Sequence, residues 1–106
     1  MIFQVSAAML DACVLAILGH EDTYGYRLTQ QIKEKLGVSE STLYPVLMRL
    51  QTDGLLETYD VAVAGRNRRY YRLTAAGKKR VIEYREEWNE FSGRIESILI
   101  GGAVNE

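Results

Sequence analysis

Arg66, Arg68, Arg69 and Arg72 stand within one seven-residue stretch of this chain. Upstream, the segment SESTLYPVLMRL (residues 39–50) repeats Leu43, Val46, Leu47 and Leu50 at helical spacing, which gives it one apolar face. The opposite face carries Ser41, Thr42, Tyr44, Pro45, Met48 and Arg49. Hydroxyls donate or accept at base edges, a guanidinium reads guanine or phosphate, and methyl groups contact thymine. The positive end of the helix dipole adds attraction for phosphate. The chemistry open to these residues is recognition of a duplex polyanion. A plainer reading is also open: a wet helix face and a solvated, charged hairpin.

Pro45 breaks the helical run. It cannot donate to the carbonyl of Ser41, and its ring crowds that group. Such departures from local rules concentrate at functional sites. A bend here would aim the first turn toward a groove and leave the Ser41 carbonyl free; a tolerated early-helix proline is the alternative.

Other chemistries find no footing. His20 is the sole histidine and Cys13 the sole cysteine. With no His/Cys ligand spacing, no phosphate-cradling glycine motif and no nucleophile–base pair, neither an enzyme nor a metal or cofactor protein is expected. His20 is expected to end a helix on the surface, and Cys13 to pack as a small apolar group. One cysteine excludes an internal disulfide framework and suits a reducing, cytoplasmic setting. The N-terminal apolar run lacks a basic leader, is interrupted by Asp11, and falls short of about 18 residues. Neither a signal peptide nor a membrane span is expected.

The 106 residues suffice for one small domain with a modest core. Net charge is only −1, but it is segregated: −4 over residues 1–63, +7 over 64–82 and −4 over 83–106. A basic block between acidic flanks suits a surface that meets a polyanion.

These groups need elements to hold them. Residues 9–18 are apolar except Asp11, so helix 1, about 6–19, is buried on most sides, with Gly19 as its expected C-cap. Leu28, Ile32 and Leu36 mark an amphipathic helix 2 at about 25–36, stopped by Gly37. Helix 3 spans about 40–53, capped by Ser39 or Ser41 and stopped by Gly54. The tight turn between helices 2 and 3 makes a helix-turn-helix. The period then changes to two. Residues 55–63 and 68–74 read as a β-hairpin turning through AGRN, around Gly65, with Tyr71 and Leu73 on one side and Tyr70 and Arg72 on the other. Tyr71 is expected in the core; Tyr70 suits either side. The arginines form a basic wing that can reach phosphate or the minor groove.

Thr74 caps a last helix at about 75–99. About 25 residues at about 1.5 Å each give near 37 Å, longer than the rest of the domain can cover. Val81, Tyr84, Trp88, Phe91, Ile95 and Ile98 recur at spacings of 3 and 4, a heptad seam. An exposed stripe of that size marks an interface. The expectation is a homodimer through this helix, with helix 1 contributing. Gly93 either admits a close second helix or softens the end. Trp88, mid-seam, faces its own copy in a symmetric pair. It is either plain dimer core or, with Tyr84 and Phe91 one turn away on either side, a site where a planar aromatic molecule stacks.

Three stretches, YGYRLTQQI, STLYPVLMRLQTDGLL and RRYYRLTAAGKK, in this order, resemble the signatures of the PadR-type winged helix-turn-helix transcriptional regulators. The similarity covers residues 9–80, and helix 3 together with the Tyr70–Gly77 stretch is its most specific part. Gln51 departs from the family, which more often has Glu there. The resemblance implies a cytoplasmic homodimeric repressor, released from a palindromic operator by a ligand or stress signal. The single C-terminal helix is similar to the small subclass, in whose multidrug-sensing members a tryptophan placed like Trp88 sandwiches flat aromatic drugs.

The sequence thus predicts a mainly α fold with a β-hairpin wing. Residues 1–74 form the winged helix-turn-helix domain and 75–106 the dimerisation helix and tail. Ser41, Thr42, Tyr44, Pro45 and Arg49 are expected at the major groove of double-stranded DNA. Arg66, Arg68 and Arg69 are expected on flanking phosphates, with Tyr24 at a phosphate from the start of helix 2. The alternative function is a winged-helix dimerisation or protein-interaction module that does not bind DNA.

Overall fold

A computed structural model describes residues 2–101 of the chain. Its elements are α1 (Ala7–His20), β1 (Thr23–Tyr24), α2 (Gly25–Leu36), α3 (Glu40–Thr52), β2 (Leu56–Val63), β3 (Arg66–Leu73) and α4 (Ala75–Leu99). The architecture is mainly helical, with a hairpin wing and a long C-terminal helix, as the sequence predicts. The tail from residue 102 onward lies outside the described residues.

Side-chain hydroxyls open three of the four helices. Ser6 accepts from the amide of Met9, Ser39 from that of Thr42, and Thr74 from that of Gly77, each relieving an otherwise unpaired donor. Gly37 ends α2 in the left-handed region at φ 70°, and only three residues separate α2 from α3. Leucines from all three first helices meet in one core: Leu15 and Leu18 from α1, Leu28 from α2, Leu43, Leu47 and Leu50 from α3. Leu56 and Leu73, paired across the hairpin, close it from below.

The sheet has three strands in the order β1-β3-β2, all antiparallel. The two-residue β1 is absent from the sequence reading, because two residues carry no alternation. The hairpin turns in two residues rather than four. Ala64 and Gly65 both take positive φ, 50° and 79°, the geometry that matches strand twist in a tight hairpin. Arg66 and Asn67 therefore belong to β3.

Two further expectations are corrected. Gly19 does not cap α1, which continues to His20. Instead, a Cβ there would lie 3.9 Å from both Val81 Cγ1 and Arg85 Nη2, so Gly19 sits where α1 passes close to α4. Val81 is only 4% exposed and belongs to the chain's own core, and Tyr84 packs against that core. The heptad pattern continues through both, but they pack on the chain's own core, Val81 beside Gly19 of α1. The free stripe starts at Trp88 (53% exposed) and runs through Phe91 and Ile95 to Ile98 (76%). This outer part of α4 projects from the body, and the molecule measures 63 × 30 × 21 Å.

Candidate nucleic-acid interface

The first turn of α3 is a cluster of hydroxyls. Ser39 Oγ lies 3.0 Å from both Ser41 Oγ and Thr42 Oγ1. Ser41, Thr42, Tyr44, Pro45 and Met48 are all exposed, while Leu43 and Leu47 face the core. α3 runs continuously through Pro45. Gln30 donates to Glu40 at 3.1 Å, which ties α2 to the start of α3.

β1 brings Tyr24 to the wing. It stands in register with Tyr70 of β3, which in turn faces Tyr59 of β2. The three rings form a row: Tyr24 meets Tyr70 edge-on at 5.7 Å, and Tyr59 stacks on Tyr70 at 5.5 Å. Arg68 lies over the Tyr24 ring, 4.4 Å from its centroid, and Arg72 lies over Tyr59 at 4.7 Å. These cation–π contacts lay the guanidinium heads of Arg68 and Arg72 on the faces of the aromatic row. Tyr59 also donates to Asp22 at 2.7 Å, a bond that raises its phenol above the usual range. Arg72 bonds Glu57 at 2.9 Å and Arg69 approaches Asp60 at 3.5 Å. Arg66 is exposed beside the hairpin turn.

Of the residues predicted separately, Tyr24, Tyr44, Arg68 and Arg69 converge on one groove, while Ser41, Thr42, Pro45 and Arg66 lie outside its lining. Tyr24, Tyr26, Tyr44, Arg68, Arg69 and Tyr71 line a hollow of about 270 Å³ between the starts of α2 and α3 and the wing. Tyr71 forms its floor, half-buried, and burial raises its phenol. Gly25 keeps the floor open: a Cβ there would stand 3.3 Å from the Tyr71 ring and 3.9 Å from Tyr44. A larger hollow of about 510 Å³, lined by Cys13, Ile17, His20 and Lys35 among others, lies between α1 and α2. It contains none of the expected DNA-reading residues. His20 is exposed, as expected, and the half-buried Cys13 thiol is pushed up by burial.

Arg49 does not join the groove. Its Nη2 bonds Asp11 Oδ1 on α1 at 2.5 Å, and its Nη1 lies 3.9 Å from Asp53. Both carboxylates raise the guanidinium above its ordinary value, Asp11 the more. The helical period places Arg49 on the outer face, but its long stem reaches back to a partner 38 residues away. In the unbound chain Arg49, still 46% exposed, is paired with Asp11 rather than extended from the outer face of α3.

Among the described residues, no group of His, Cys, Asp and Glu is arranged to hold a metal, and no helix is long and apolar enough to cross a membrane.

The model of the transcriptional regulator PadR-like family matches residues 14–83. Transcriptional regulator Rv3488 of Mycobacterium tuberculosis is 40% identical over 85 residues, 76% of this chain and 79% of that one. The crystal structure of smu.1704 from Streptococcus mutans superposes with a TM-score of 0.88 at 38% identity, covering all of both chains. A Bacillus subtilis PadR crystallised with operator DNA superposes with a TM-score of 0.64 at 26% identity, over 71% of this chain and 45% of that one.

Proposed function

The chain belongs to the transcriptional regulator PadR-like family, a family of regulators rather than enzymes, and from that premise we propose that it is a cytoplasmic, dimeric repressor of a palindromic operator. Residues 1–74 read DNA and residues 75–106 pair two copies. One observation carries the reading. Tyr44 of α3, Tyr24 at the start of α2, and Arg68 and Arg69 of the wing line one groove, although they are scattered in sequence. Ser41, Thr42, Tyr44 and Pro45 enter the major groove, while Arg66, Arg68, Arg69 and Tyr24 hold flanking phosphates. The likeness to a PadR crystallised with operator DNA supports this assignment. The exposed stripe Trp88, Phe91, Ile95 and Ile98 supports pairing through α4, which sets two recognition helices about one turn, roughly 34 Å, apart.

Release follows from the same seam. A planar aromatic ligand or a stress signal acting near Trp88, Tyr84 and Phe91 changes the angle between the two wings. This shifts the population from binding-competent to incompetent dimers.

A gel shift with the duplex upstream of the protein's own gene tests the reading. A retarded band that survives excess unrelated duplex is the expected result. No band in dilute buffer overturns it and leaves a winged-helix module that pairs with protein alone.

A further inference from the structure

We propose that the Asp11–Arg49 ion pair is a positioning device: it fixes the angle of α3 against α1 and thereby selects the separation of half-sites that the paired molecule accepts. This rests on the dimeric DNA-binding reading given above.

Asp11 is the one charge in the apolar run 9–18, and its side chain is 12% exposed where Arg49 reaches it. Leu43, Leu47 and Leu50 seat α3 in the core, but apolar contact is non-directional and leaves a helix some freedom to roll or slide. With Arg49 46% exposed the pair adds little to stability, but its donor–acceptor geometry, tied to the largely buried Asp11, restricts that freedom. Arg49 lies toward the end of α3, about 10 Å from Thr42 at seven residues of helical rise. A small roll there moves the tip that meets DNA.

The pair also links that tip to the seam. α1, which carries Asp11, packs closely on α4 where Gly19 passes Val81 and Arg85. α4 carries the free stripe from Trp88 onward. Recognition tip, Arg49, Asp11, α1 and α4 thus form one continuous series, in which this ion pair joins α3 to α1.

The test uses the full chain and duplexes recovered from a random-sequence pool by wild type, Asp11→Asn, Arg49→Met, the double variant and Arg49→Lys. The readout is the separation between the two recovered half-sites, with folding checked by circular dichroism. Wild type and Arg49→Lys, which keeps a cation on Asp11, are expected to return one separation. Asp11→Asn and Arg49→Met each return a spread, and bind the wild-type duplex about tenfold more weakly, with the double variant no worse than either. All bind an isolated half-site equally. A single separation retained by Asp11→Asn overturns the proposal. So does a uniform loss on half-sites confined to Arg49→Met, which marks a direct DNA contact. A wild type that recovers no paired half-sites instead overturns the parent reading.

Discussion

A Cβ on Gly77 would collide with the carbonyl oxygen of Leu55. The first turn of α4 therefore rests directly on the chain entering β2. Thr74 completes the joint, since its amide donates to Leu55 O at 3.1 Å and its hydroxyl to Gly54 O at 2.6 Å.

Gly77→Ala therefore destabilises the fold, although alanine is the better helix former by about 1 kcal/mol. Overpacking against backbone costs about 1–3 kcal/mol and outweighs that gain. Denaturant titration should show a lower midpoint; a raised one contradicts the close approach.

Gly93 is the opposite case. A Cβ there meets nothing within 4 Å, and its heptad position lies away from the Trp88–Ile95 seam. Gly93→Ala should stabilise the protein by about 1 kcal/mol without weakening self-association in analytical ultracentrifugation. Weaker association would place a second helix against Gly93.

Ala64 holds φ 50° in the hairpin turn, a conformation that costs an alanine about 1 kcal/mol or more. Ala64→Asn restores the preferred Asn-Gly pair. It should raise the melting midpoint by about 4 °C and leave operator affinity unchanged.

Arg68→Ala with Arg69→Ala removes two cations from the groove. The slope of log affinity against log salt should become shallower by about one for each lost phosphate contact. An unchanged slope would refute the wing's part in binding.

Trp88 reports on the seam by its own fluorescence, being the only tryptophan. Planar aromatic compounds that stack on it should quench its emission at micromolar concentration. Silence across a broad panel would leave Trp88 as dimer core alone.

The elements with strong periodicity were legible in the sequence: α2 and α4 start and end where the apolar pattern, Gly37 and Thr74 place them. The hairpin faces were legible too, because Leu73 turns inward and Tyr71 lies half-buried beside it. What escaped depends on partners distant in the chain. Thr23–Tyr24 is a strand only because β3 lies alongside. Val81 fits a seam equally well whether its partner is α1 or another molecule. Arg49 fits an outer helical face until Asp11 is brought beneath it. The interruption of an apolar run by that single aspartate was the one local hint, since a charge among leucines needs a counterion.

The bare outer part of α4 has a consequence for how the chain breathes. From Trp88 to Leu99 the helix is a segment of about twelve residues, a length that alone is marginal in water. In dilute solution its amide hydrogens should trade for deuterium quickly near Ile98 and slowly near Val81, a gradient of protection along one continuous helix. Raising the protein concentration should flatten that gradient from the outer end inward.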